Sequence, residues 1–211
     1  MELTDVKPSE ITFKQELFSS TFSVIFLVVI RDQTSVMKVH HGRGPRQYYE
    51  PKDRELDIHV LESTAYRRFK EHGLCDRGIV PQFYGTIENA ILFEYIPNLE
   101  MIHLHNYTRK RMDKFIEGIQ QIHKAFVRHK DAKPRNMLVV EDDPERVVWI
   151  DFDRAETYDP DQITYRQRVL MQEEEEIVTS FKDCLEADCA KGKLDEAIIT
   201  SSTTIRSLRH F

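Results

Sequence analysis

His129-Lys130-Asp131-Ala132-Lys133-Pro134-Arg135-Asn136 is the stretch on which the reading of this chain turns, and Trp149-Ile150-Asp151-Phe152-Asp153 follows it after a short segment. Two acidic residues and an amide, held on a loop and at the end of a hairpin, suit metal–triphosphate chemistry. Magnesium prefers hard oxygen ligands and takes few from protein, so one carboxylate and one amide oxygen suffice. Phosphoryl transfer asks a protein for positioning and charge neutralisation more than for covalent chemistry. A third carboxylate is then needed to orient the attacking hydroxyl and accept its proton.

Around this stretch the pattern is helical. Before it, Met112, Phe115, Ile116, Ile119, Ile122 and Phe126 recur at three- and four-residue intervals, which predicts an amphipathic helix. Met137–Val140 and Val147–Ile150 read as short strands flanking Glu141–Arg146, whose Asp-Asp-Pro is turn chemistry. A long helix is expected from Asp161 to Asp188, with Leu170, Ile177, Phe181 and Leu185 as its apolar stripe and Glu173–Glu176 on a solvated face. Thr200–Phe211, rich in Ser and Thr, reads as a fraying or loosely packed end.

The first half is β-rich. Glu10–Glu16 and Phe22–Ile30 read as strands joined by Ser19-Ser20-Thr21, and Val36–His40 as a third after a turn at Asp32-Gln33. The apolar run Phe22–Ile30 is too short for a membrane helix, and its β-branched content marks a buried strand. His41–Arg54, with two glycines and two prolines, is a loop; its arginines could grip a phosphate or simply be solvated. Ile58, Leu61, Ala65 and Phe69 predict a helix ending near Gly73, and Val80–Ile87 and Ala90–Ile96 two further strands meeting at Glu88-Asn89. An α+β domain follows, with a boundary near Pro97-Asn98 between residues 1–97 and 98–211.

Bulk properties narrow the classes. With 211 residues, 40% hydrophobic and 31% charged, the chain can bury a core. A net charge of −6 argues against a nucleic-acid partner. Cys75, Cys184 and Cys189 have neither metal-ligand spacing nor an even number for disulfides, so reduced thiols and a cytoplasmic location are expected. The polar, acidic Met1–Glu10 predicts no signal segment, and no membrane partner is expected.

The quoted residues resemble the protein-kinase-like superfamily. HKDAKPRN follows the pattern H-x-D-x-K-x-x-N, and Asp151-Phe152-Asp153 stands where those enzymes have D-F-G. The resemblance implies a bilobal fold: a β-rich N-lobe with one helix, then a truncated, mainly helical C-lobe. It implies ATP and Mg²⁺ as cofactors, with Asp131 as catalytic base and Lys133 neutralising charge on the transferred group. Asn136 and Asp151 would hold magnesium, Asp153 would add a further metal ligand or cap the next turn, and His129 would brace the loop. Lys38 would pair with phosphates and with a helix glutamate, Glu62 or its rival Glu55. Phe93 would be the gatekeeper, Glu94 and Ile96 would offer backbone groups to adenine, and Ser20 and Ile25 would line the nucleotide site. The chain is similar to the short kinase-like proteins of filamentous fungi.

The pattern also departs from that family. Leu17–Ser23 contains no glycine where the family has a glycine-rich loop, and serine side chains limit close backbone approach to phosphate. Asp153 replaces a glycine, and nothing after it resembles an activation segment ending in A-P-E. Two functions are therefore expected to compete. One is a phosphotransferase acting on a hydroxyl-bearing acceptor, protein or small molecule; the other is a pseudokinase acting as an interaction module. The sequence is silent on oligomeric state.

Overall fold

In the computed structural model the described residues are 3, 5–42, 44, 45, 48 and 55–192. The loop arginines Arg43, Arg46 and Arg54 and the segment 200–211 lie outside them. The apolar run is an inner strand, next to the sheet's edge. The first-half elements are β1 (Ile11–Ser19), β2 (Ser23–Ile30), β3 (Gln33–His40), α1 (Ile58–Glu71), β4 (Phe83–Ile87) and β5 (Ala90–Glu94). The strands form one antiparallel sheet in the order β1-β2-β3-β5-β4.

Period-two alternation divides the sheet residues between two cores. Val28, Ile30, Met37, Ala90 and Leu92 pack on one face with Leu3 and Val6, and the Leu3 N–H bonds the Tyr84 carbonyl at 2.9 Å. Val36, Ile91 and Phe93 face the other way, towards Ala65, Tyr66 and Phe69 of α1. Asp57 caps α1 by accepting from the His59 and Val60 N–H groups.

The second half runs β6 (Leu99–Met101), α2 (Arg109–Lys124), β7 (Val127–Arg128), β8 (Met137–Val140), β9 (Asp143–Trp149), β10 (Glu156–Thr157) and α3 (Tyr165–Lys191). β6, β8 and β9 make a three-stranded sheet, and β7 pairs with β10. Among the described residues, no helix is long and apolar enough to cross a membrane.

Several boundaries differ from the sequence expectation. The β2–β3 turn sits at Arg31-Asp32, both left-handed (φ 49° and 65°), the geometry that matches strand twist in a two-residue hairpin. β4 begins at Phe83, after Pro81, which has no N–H for a ladder. β9 starts at Asp143, so the turn is confined to Glu141-Asp142, and α3 starts at Tyr165, where Thr164 and Gln167 form a capping box. The buried stripe of α3 is also rotated. Met171, Glu174, Val178 and Leu185 are buried, whereas Ile177 is 50% exposed.

α2 packs on β9 through Gly118 and Trp149. A Cβ on Gly118 would lie 2.9 Å from Trp149 Nε1, whose N–H donates to the Phe115 carbonyl at 3.1 Å. The indole is fully buried and rigid, so it cannot yield. Gly118→Ala is therefore expected to destabilise the chain by about 1–2 kcal/mol, overpacking outweighing alanine's better helix propensity. Urea unfolding checks this, and a gain in stability would refute the packing account.

Candidate active site

Lys38 and its cross-strand partners Ile25 and Ile91 share the sheet face turned to α1. Its ammonium is buried between two carboxylates, 2.7 Å from Glu62 Oε2 and 2.6 Å from Asp151 Oδ1. The sheet, α1 and the segment after β9 thus meet at one cation. Glu55 is not part of this cluster; its Oε1 accepts the Leu56 and Asp57 N–H groups at 2.7 and 2.8 Å. Burial opposes the lysine charge, yet Asp151 and Glu62 together hold its pKa above the usual lysine value. Burial likewise pushes the two carboxyls up, but Lys38 outweighs it and keeps both below the usual carboxylate range. Asp153, half-buried beside them, is pushed up to about 6 by burial and then by the Asp151 charge.

Asp151 is left-handed (φ 66°), a conformation aspartate tolerates better than most residues. That turn directs the Phe152 N–H to Glu62 Oε1 at 3.1 Å and the Phe152 ring into the core. There it meets Phe69, Tyr66 and His129 at centroid distances of 4.7, 5.6 and 4.4 Å. His129 is fully buried, with Nε2 3.0 Å from the Ile150 carbonyl, so it braces the loop against the strand end.

In the 129–136 loop, Asp131 is buried and its Oδ2 meets Arg135 at 2.5 Å and Asn136 Nδ2 at 3.3 Å. Oδ1 lies on the Lys133 side, 3.6 Å from its ammonium. Asn136 Nδ2 also donates to the Asp131 carbonyl at 2.9 Å, which turns the amide oxygen the other way. Among the described residues, no three His, Cys, Asp or Glu side chains converge as a metal cluster. The oxygens of Asn136, Asp151 and Asp153 are donors of the hard kind that magnesium prefers, and that ion needs few from protein.

The remaining predicted residues are placed less simply. Phe93 is buried against Tyr66 at 4.5 Å. The Glu94 N–H is engaged by the Gln82 carbonyl at 2.9 Å, and its carboxylate holds Arg146 at 3.0 Å. Ile96 is buried with Val140 and Val148. Ser20 Oγ accepts the Phe22 and Ser23 N–H groups at 3.1 and 3.0 Å, so two amides of this turn serve the serine itself.

Glu174 corrects the sequence reading outright. Expected on a solvated face, it is 4% exposed and lies under the loop. Its carboxylate accepts the Lys130 N–H at 2.7 Å and the His129 N–H at 3.0 Å, and meets His123 Nε2 at 2.9 Å. The His123 Nδ1 faces Glu175 at 2.8 Å. Lys130 is left-handed (φ 65°), so the loop turns its amides downward and needs an acceptor there. Sequence reasoning also missed His40 and Arg135. The spacing of Glu174 from Met171 and Val178 was the one available signal.

A family model described as "Lipopolysaccharide kinase (Kdo/WaaP) family" matches residues 98–183, which include the loop, Asp151 and Glu174. The sporulation protein kinase mde3 of Schizosaccharomyces pombe is 22% identical over 144 residues, 64% of this chain and 26% of its own length. The serine/threonine-protein kinase PKH3 of Saccharomyces cerevisiae is 24% identical over 166 residues, 72% of this chain and 18% of its own. The human myosin light chain kinase family member 4 is 39% identical over 98 residues, 40% of this chain and 25% of its own. The chain spans about a quarter or less of the length of these relatives. Together with the β-rich first half and the α+β fold, these matches support a protein-kinase-like superfamily assignment.

Glu174→Gln is expected to lower stability at neutral pH by about 3 kcal/mol, since a buried carboxylate with three donors becomes a neutral amide. Burial raises the Glu174 pKa, but His123 and His129 together outweigh it and hold the group below its usual 4.5. Its contribution is therefore complete above pH 4.5 and is lost as the pH falls below that value. Thermal unfolding of the two proteins should converge at low pH. A constant gap between them would refute the assignment.

Proposed function

We propose that the chain is an ATP- and Mg²⁺-dependent phosphotransferase, a single kinase-like domain with lobes at 1–97 and 98–211. The observation that carries this reading is Lys38, buried between Glu62 and Asp151, with the 129–136 loop tied beside it through His129 and Phe152. Lys38 would pair with phosphate oxygens while Glu62 keeps it aimed. Asn136, Asp151 and Asp153 would hold magnesium, which when bound neutralises charge on the phosphates. Ile25, Phe93 and Ile96 would line the base, with Ile96 and the Glu94 carbonyl as its backbone partners. Three unpaired thiols, Cys75, Cys184 and Cys189, support a cytoplasmic setting.

In the transfer step the acceptor oxygen forms a bond to the γ-phosphorus as the bond to the bridging oxygen breaks, and ADP departs. The acceptor's proton goes to Asp131, whose Oδ1 lies on the Lys133 side. Lys133 balances the charge on the moving group. The acceptor is a hydroxyl-bearing protein or small molecule.

One observation favours the second reading, an interaction module. The amides of Phe22 and Ser23 are committed to Ser20, so the turn that would cover the phosphates has fewer donors to offer them.

Asp131→Asn is expected to lower transfer from γ-labelled ATP by about 10²–10⁴-fold. It should leave intact the stabilisation by Mg·ATP, about 2.7 kcal/mol at 100 times the dissociation constant. Wild-type turnover in this variant would exclude Asp131 as the base. A wild-type chain that shows neither turnover nor a nucleotide-induced melting shift would be the interaction module.

A further inference from the structure

Lys38 is not the only sheet residue on Glu62. His40 follows it by two positions on β3, so both side chains leave the same face, whereas Met37 and Val39 belong to the opposite core. His40 is 5% exposed, and its Nε2 lies 2.8 Å from Glu62 Oε2, the same oxygen that Lys38 reaches at 2.7 Å. Its Nδ1 is 3.3 Å from the Asn89 carbonyl, which already accepts the His40 backbone N–H at 2.9 Å. The Glu62 contact is therefore the ring's principal polar bond. His59 of α1 stands edge-on to it at 5.6 Å.

We infer that His40 is a positioning residue for α1 and for the segment after β9, the third member of a lysine–glutamate–histidine cluster. The Lys38 ammonium already serves two anions, Glu62 and Asp151, and a phosphate would be a further claimant. Each new partner weakens its hold on Glu62. Among the described residues the His40 ring faces two acceptors, Glu62 and Asn89, and with its proton on Nε2, at the shorter of the two contacts, it serves Glu62 alone. It keeps one sheet-borne donor on α1 whatever Lys38 is doing. Glu62 Oε1 in turn holds the Phe152 N–H, so the restraint passes to the residue next to Asp151. For its effect on nucleotide handling, this inference rests on the phosphotransferase reading.

Two amide substitutions separate the ring's two contacts. His40→Gln places an N–H near the position of Nε2, and His40→Asn near that of Nδ1 only. Mg·ATP affinity by calorimetry and hydrogen exchange at the Phe152 amide are measured on the full chain. His40→Asn is expected to weaken Mg·ATP binding about tenfold and to speed Phe152 exchange, with His40→Gln within about threefold of wild type on both. Equal behaviour of the two variants, or an unchanged His40→Asn, overturns the inference. If the wild-type chain binds no Mg·ATP, the phosphotransferase reading falls while Phe152 exchange still decides the role of His40. Should His40→Asn fail to fold, nitrogen NMR of the wild-type ring decides it. A protonated Nε2 whose resonance moves in Glu62→Gln supports the cluster, and an unprotonated Nε2 overturns it.

Discussion

A buried ammonium fixes the geometry of this molecule. Lys38 is 4% exposed, and a lone cation there would cost several kcal/mol in lost hydration. Its partners must come from elsewhere in the chain: Glu62 from α1, and Asp151 from a segment 113 positions away. Such a cluster is weak evidence for net stability, because desolvation offsets most of the attraction. What it supplies is registration. α1 cannot rotate, nor the residues after β9 slide, without stranding a charge. The aromatic contacts of Phe152 with Tyr66, Phe69 and His129 then transmit that registration to the 129–136 loop.

The loop has a second anchor from below. Left-handed Lys130 presents two successive amides away from the sheet, and buried amides require acceptors. Glu174 supplies both oxygens from the middle of α3, where a carboxylate is otherwise hard to justify. His123 of α2 meets the same carboxylate, so the two long helices and the loop share one polar node. Asp131 and Asn136 therefore project from a backbone held at both ends, by Glu174 beneath and by the Pro134–Asn136 helical turn above.

What could be read from sequence follows from the range of the interactions concerned. HKDAKPRN and Asp151 could be singled out because metal–triphosphate chemistry would need those residue types at short, fixed spacings, and the structure sets Asp151 against Lys38. α1 and α2 were legible because a helix face repeats every few residues. Glu62 was preferred over Glu55 on the same periodicity, and the structure brings it, not Glu55, to Lys38. Glu174 was not legible, since a glutamate within a glutamate run has the same periodicity whether turned inward or outward. Its direction is set by amides far away in sequence. The short strands β6, β7 and β10 were missed for a related reason: two or three residues carry no period, and only their partners define them.

Each chemically interesting group here already has an internal partner. Lys38 has Asp151 and Glu62, Asp131 has Arg135, and the Phe22 and Ser23 amides have Ser20. A ligand entering this site must compete with those contacts, so it must bring more charge than it displaces. Around Lys38 the formal balance of one cation against Glu62 and Asp151 is already negative, with Asp153 beside them raised to about 6. An anion alone would meet repulsion there, and a cation alone would leave Lys38 in excess. A phosphate chain carrying a divalent cation satisfies both sides at once, offering oxygens to the lysine and a hard cation to the carboxylates. That complementarity of charge, more than any cavity shape, favours a cation-bearing polyanion over neutral ligands at this site.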